Sequence, residues 1–265
     1  MPDFIRGDIR LAYEIHGSGQ PVLLIAPGGL RSERGMWRNS PLDPVALLSP
    51  HFQVVAMDQR NAGASSGPIE ADHTWDTYTE DQLALMSHLG HEKFAVVGMC
   101  IGGPYILNLL KIAPERVTAS VVMQTIGRDN NYQEFLDMFN GWSESLQALD
   151  PQRFSGHLLE PMRARMLEND LTFMCMTEVD VQALSGPMLI LDGNDTYHPA
   201  SSSERLAALQ PQAQRIDRWK QEPDLQLATE VFQTFLQQHS AVGELDHLVH
   251  WVGKPATTVL TGVLR

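Results

Sequence analysis

The chain contains two cysteines, Cys100 and Cys175, in 265 residues. That is too few for a disulfide framework or a thiolate metal site. Basic side chains are also scarce: 19 Lys and Arg stand against 32 Asp and Glu, for a net charge of −13 and a pI near 5.1. Such a balance repels phosphate, which argues against nucleic acid or an anionic membrane as partner. Apolar runs are broken well short of a membrane span. Residues 1–8, MPDFIRGD, lack the apolar centre of a secretory signal, so a cytoplasmic location is expected. Neither a G-x-G-x-x-G turn nor a G-K-[ST] phosphate loop occurs, and no third ligand accompanies the His247/His250 spacing; no cofactor and no metal are expected. With 43% hydrophobic and 19% charged residues, disorder and a coiled coil are excluded.

What is present is an alternation of short apolar runs with longer amphipathic ones, which predicts an α/β fold: a mainly parallel sheet flanked by helices. The expected strands are Arg10–Ile15, Val22–Ala26, Gln53–Met57, Phe94–Val97, Ala119–Met123, Met188–Leu191 and Arg215–Ile216. The expected helices are Pro44–Leu48, Trp75–Leu89, Ile101–Ile112, Ser202–Leu209 and Leu225–His239. In Trp75–Leu89 the stripe Leu83, Met86, Leu89 is expected to face the core. From 127 to 184 the alternation stops, and amphipathic segments rich in Met and Phe replace it. A helical insertion at that place predicts a lid over the carboxyl ends of the strands, where parallel sheets bind ligands. The organisation is therefore a core of residues 1–126 and 185–239, a helical lid at 127–184, and an extension at 240–265 that could pack back or reach a second copy in a homodimer.

The most informative stretch is Phe94–Gly103, FAVVGMCIGG. A buried strand runs into Gly98-Met99-Cys100-Ile101-Gly102-Gly103 and straight on into a helical pattern. This is the context of a nucleophile elbow, with Cys where Ser is usual. Cys100 then sits at a helix N-terminus, which favours thiolate over thiol, and the Ile101 N–H is offered to an oxyanion. Cys175, in the apolar triplet MCM, reads as structural.

These motifs, in this order, resemble the α/β-hydrolase superfamily over about residues 10–239. Pro27-Gly28-Gly29-Leu30 stands at the place of the family's oxyanion loop. Asp58–Ser65, DQRNAGAS, is similar to its D-x-R-G-x-G-x-S turn, with Asn61 where Gly is usual. The Cys-centred elbow resembles those of dienelactone hydrolases and polyhydroxyalkanoate synthases. The resemblance implies an α/β-hydrolase fold with the lid after the sixth core strand, Gly29 and Ile101 as oxyanion donors, and an acid on the loop after Met188–Leu191. Asp195 falls there, four residues before Pro199, with Asp192 as competitor. The family's His is expected after Arg215–Ile216, but IDRWKQEPDLQ contains none. His198, on the same loop as Asp195, is the candidate replacement. His16, His51, His73, His88, His91 and His239 are expected to be solvent-exposed. Leu30, Met99, Phe135, Met138, Trp142 and Tyr197 are candidates for the substrate pocket.

The expected activity is hydrolysis of an ester, thioester or lactone of an apolar, small-to-medium acyl substrate through a Cys nucleophile and an acyl-thioenzyme. Acyl transfer on the same fold, and a non-catalytic small-molecule binder lacking the usual His, are the alternatives.

Overall fold

The computed structural model describes residues 2–240, and the extension expected at 240–265 lies almost wholly outside them. In chain order the elements are β1 (Asp3–Arg6), β2 (Ile9–His16), β3 (Gln20–Ile25), α1 (Pro44–Leu48), β4 (Phe52–Met57), α2 (Trp75–His88), β5 (Phe94–Cys100), α3 (Gly102–Ile112), β6 (Val117–Thr125), α4 (Tyr132–Leu149), α5 (Gly156–Leu167), α6 (Glu178–Ala183), β7 (Met188–Leu191), α7 (Ala200–Leu209), β8 (Gln214–Ile216) and α8 (Asp224–His239). The strands form one eight-stranded sheet in the order β1-β2-β4-β3-β5-β6-β7-β8. β2 runs antiparallel to both β1 and β4, while the pairs from β4 through β8 are parallel.

The strand composition explains this layering. Every residue of β5 is buried, and β3 and β7 are nearly continuous apolar runs, as strands covered by helices on both faces must be. β1, DFIR, alternates exposed and half-buried residues at the sheet edge, and it was not among the expected strands. On α2 the expected stripe packs against the core, with Met86 buried and Leu83 and Leu89 half-buried, while the fully buried face also takes in Tyr78, Asp81, Gln82 and Leu85. That wider buried face puts charged and amide side chains inside. Arg60 reaches Asp81 through two hydrogen bonds at 2.7 Å, and Arg6 joins the same carboxylate at 2.8 Å.

Two features position the site. First, β3 is flanked by β4 on one side and β5 on the other, so the connections leaving β3 and β5 part at a topological switch point, where open α/β sheets bind ligands. Second, α4, α5 and α6 occupy the interval between β6 and β7 expected for the lid, and carry the buried Phe135, Phe139, Trp142, Met162 and Met166. These helices are tied to the rest of the chain at several points. Trp75 Nε1 donates to the Met166 carbonyl at 3.2 Å, and Asn131 Nδ2, just before α4, donates to the Thr196 carbonyl at 2.7 Å. The Arg31 guanidinium donates to the Gly141 carbonyl and to the Ser145 hydroxyl, the latter at 2.9 Å.

Candidate active site

β5 ends at Cys100 with φ of +62°, the left-handed region that a side-chain-bearing residue enters at a cost, and α3 starts two residues later. The neighbouring glycines make this bend possible. A Cβ on Gly98 would lie 2.9 Å from the Gly102 Cα, so strand and helix could not approach with any side chain there. Asn61 repeats the logic in the turn after β4: its φ is +61°, and Asn is among the few residues besides Gly that adopt this conformation readily. The departure from the family pattern at Asn61 is thus conformationally conservative.

Cys100 is 8% exposed. Burial alone would raise its thiol pKa. The nearby His198 ring, with the N–H groups of Gly28 and Gly29, outweighs that and holds it below the ordinary thiol value. His198 moves the opposite way. Burial disfavours its charge, yet Cys100 and then Asp195 raise its affinity for a proton. The two opposed shifts describe a thiol and an imidazole disposed toward a thiolate–imidazolium pair.

The loop after β7 explains how His198 reaches this place. Asp195 Oδ1 accepts the N–H groups of Tyr197 and His198, each at 3.0 Å, closing a tight turn of the kind Asp favours. Within that turn His198 Nδ1 lies 2.9 Å from Asp195 Oδ2. With Nδ1 donating to the carboxylate, Nε2 is left for the sulfur; it is buried and forms no hydrogen bond of ordinary geometry. Burial pushes Asp195 upward, but His198 first and Lys220 last hold it below the usual carboxylate range.

The competitor Asp192 is otherwise engaged. Its buried carboxylate accepts Arg215 Nε at 2.9 Å, and its carbonyl accepts Trp219 Nε1 at 2.7 Å. Trp219 stands where the family His is expected and is itself buried. The structure therefore brings together Gly28, Gly29, Cys100, Ile101, Asp195 and His198. Gly28 joins Gly29 beside the sulfur; the adjacent Gly-Gly pair in Pro27–Leu30 is its signal in the sequence, and its φ of 114° is one that glycine adopts freely.

The expected pocket residues divide. Met138 lies over the Gly28-Gly29 loop so closely that a Cβ on Gly29 would be 2.2 Å from its Sδ. Phe135 is buried with its ring edge-on to Tyr197, centroids 5.8 Å apart, while Tyr197 itself is exposed. Trp142 Nε1 donates to the Asn61 carbonyl at 3.4 Å, beside a groove of about 640 Å³ between lid and core. Leu30 and Met99 are buried, Met99 within the sheet opposite Met123. Met36, which covers Gly28 as Met138 covers Gly29, was not expected.

Two further expectations are settled by packing. Cys175 has its thiol pushed upward, by burial, as suits a structural residue. His73 is not exposed: it is 1% accessible, and neither ring nitrogen has a partner. Its ring meets Tyr78 edge-on at 5.1 Å, and burial followed by the Arg60 charge lowers its pKa to about 3. Among the described residues no group of His, Cys, Asp and Glu is arranged to hold a metal, and no helix is long and apolar enough to cross a membrane.

Comparison with known proteins places this geometry. A putative non-heme bromoperoxidase of Mycobacterium tuberculosis is 32% identical over 164 residues, 61% of this chain and 57% of that protein. A putative carbamate hydrolase of Azorhizobium caulinodans is 31% identical over 132 residues, 50% of this chain and 47% of its own length. A 2-hydroxy-6-oxo-6-(2'-aminophenyl)hexa-2,4-dienoic acid hydrolase of Metapseudomonas resinovorans is 33% identical over 125 residues, 46% and 41%. The chain thus spans about half the length of the curated relatives it matches. Among solved structures, a meta-cleavage product hydrolase from Pseudomonas fluorescens superposes with a TM-score of 0.66 at 23% identity, covering 90% of this chain and 98% of that one. An enol-lactonase from Burkholderia xenovorans gives 0.65 at 18% identity, over 89% and 100%. The sequence model described as alpha/beta hydrolase fold matches residues 21–251, and the chain belongs to that family.

Proposed function

We propose that the chain is a hydrolase of ester, thioester or lactone bonds in apolar, small-to-medium acyl substrates, with Cys100 as nucleophile, His198 as base and Asp195 orienting it. The observation that carries this reading is the cysteine held at positive φ on the elbow, with His198, held by Asp195 at 2.9 Å, near enough for its ring to lower the thiol pKa. The Cys100 thiolate adds to the carbonyl carbon, forming a C–S bond and placing the negative charge on the former carbonyl oxygen. The N–H groups of Gly29 and Ile101 receive that oxygen. The intermediate collapses by breaking the bond to the leaving oxygen or sulfur, which takes the proton from His198. Water then adds to the acyl-thioenzyme as His198 accepts its proton, and the thiolate departs to leave the free acid. Hydrolases among the relatives, including one acting on a dienoic acid, and an enol-lactonase among the structural neighbours support carbonyl chemistry of this class.

The test is alkylation and turnover together. Iodoacetamide should modify Cys100 at pH 7 faster than a free thiol, and Cys100→Ala should abolish hydrolysis of short p-nitrophenyl esters and thioesters. Undiminished hydrolysis by the alanine variant would remove the nucleophile from the proposal.

A further inference from the structure

Cys100 and His198 come from different segments, and one side chain joins the stretches of backbone beside them. β6 runs parallel to β5 with Thr125 opposite Cys100, and the Ile126 N–H donates to the Cys100 carbonyl at 3.2 Å. The segment leading to α4 is thus anchored to the elbow where it begins. Asn131 stands at the N-cap of α4, where Asn ordinarily accepts amide hydrogens of the helix it opens, yet its side chain makes no such bond. Nδ2 instead donates to the Gly127 carbonyl at 2.9 Å and to the Thr196 carbonyl at 2.7 Å, one bond for each of its hydrogens. Oδ1 accepts the Asp129 N–H at 2.9 Å.

The two carbonyls lie on opposite sides of the site. Gly127 follows the residue bonded to Cys100, and Thr196 lies inside the turn that Asp195 and His198 close with reciprocal backbone bonds of 3.2 Å. Asn131 is 2% exposed, so water competes little for either carbonyl. Other ties between these segments are less firm. Ser201 donates to Asp129 at 2.6 Å, but among exposed side chains, and the Phe135 ring meets Tyr197 edge-on without a directional bond. The neighbouring charged groups are engaged elsewhere: Lys220 Nζ donates to Asn194 Oδ1 at 2.5 Å, Asp192 is paired with Arg215, and the Arg128 guanidinium lies 4.1 Å from the centre of the Tyr132 ring.

We propose that Asn131 is a positioning residue whose amide clamps the Asp195–His198 turn to the segment beside Cys100 and so fixes the approach of the imidazole to the sulfur. The proposal rests on the reading of Cys100 and His198 as nucleophile and base. A four-residue turn closed by its own hydrogen bonds can rotate as a unit about its ends, carrying ring and carboxylate together. The 2.9 Å contact between His198 and Asp195 survives such a rotation, whereas the approach to Cys100 does not. A bond from outside the turn to the Thr196 carbonyl, in its middle, opposes that rotation.

The test follows alkylation of Cys100 by iodoacetamide from pH 5 to 10 in the wild-type chain, Asn131→Ala and Asn131→Ser. Serine can still accept the Asp129 N–H but is too short to reach Thr196, so it reads the clamp even where the alanine variant folds poorly. Both variants should lose roughly threefold to tenfold in rate at pH 6, as the profile moves upward by half a unit to one unit. The limiting rate above about pH 9 should stay within about twofold, because the thiolate there no longer depends on His198. A purely structural role would lower the urea midpoint and leave the profile in place. Variant profiles that coincide with the wild type, or a loss of equal size at pH 6 and above pH 9, would overturn the proposal. If Cys100→Ala kept full esterase activity while alkylation of the native thiol still followed Asn131, the catalytic reading would fall and the positioning one would remain.

Discussion

At the scale of single residues, the site is a set of local costs offset by local contacts. Cys100 bears the strain of φ at +62° and is held by His198 and the amides of Gly28 and Gly29. The direction of its shift fixes a pH dependence. With the thiol depressed and His198 elevated, Cys100 should lose its proton at a lower pH than an ordinary thiol while His198 keeps its own. Alkylation should therefore persist at pH 6, where a free thiol is almost wholly protonated. His198→Ala should slow it there by at least about tenfold and return the profile to that of an ordinary thiol near 8.5. Profiles that coincide would separate His198 from the sulfur. His73 makes the opposite kind of contribution. Its pKa falls from 6.5 unfolded to about 3 folded, so the unfolded chain binds the extra proton between those values. Stability from this group is complete above pH 6.5 and is lost as the pH falls, by up to about 1.4 kcal/mol per unit. His73→Phe, which keeps an edge-on ring against Tyr78, should flatten the acid limb of urea denaturation midpoints between pH 6 and 4. Parallel limbs would mean that His73 is protonated in the folded chain.

At the scale of elements, the legible part of the sequence was the part whose structure is local. The run FAVVGMCIGG specifies β5, the bend and the start of α3 through contacts a few residues apart, and the structure has them at the expected place. Pro44–Leu48 was legible for the same reason, since the Asp43 side chain caps its amides and Pro44 opens it. β1 was missed because four residues at a half-exposed sheet edge carry too weak an alternation. The burial of His73 and the reach of Lys220 depend on which face of α2 turns inward and on a loop 25 residues beyond Asp195, and no local pattern encodes either. The proposal that α4 forms part of a lid is testable at this scale. Arg31, on the loop after β3, bonds α4 at Gly141 and Ser145, and Met138 of the same helix lies on Gly29, so the position of α4 and that of the Gly28-Gly29 loop are coupled. Arg31→Ala should loosen α4 and speed alkylation of Cys100 by a bulky maleimide several-fold, while iodoacetamide, which needs less room, gains less. Equal gains for both reagents would place the barrier elsewhere than in the lid.

At the scale of the whole molecule, the dominant physical fact is the charge of −13, carried on a fold whose candidate site lies at the carboxyl end of the central strand β5. The field of such a chain raises the energy of an approaching anion over distances comparable to the Debye length, about 10 Å at 0.1 M salt. The local cations do not reverse this. Arg31 is engaged with the lid, Arg215 with Asp192, and Lys220 with Asn194 beside Asp195. An acyl substrate bearing a carboxylate should therefore be taken up more slowly than a neutral one of the same size, and the penalty should shrink as salt screens the field. Measured as kcat/KM between 0.01 and 0.3 M salt, a carboxylate-bearing ester should gain several-fold while its neutral methyl analogue stays nearly constant. If the anionic ester instead lost activity as salt was added, the site would have to contain a cation facing the substrate, and the groove beside Arg31 and Arg153 would be the first place to look for it.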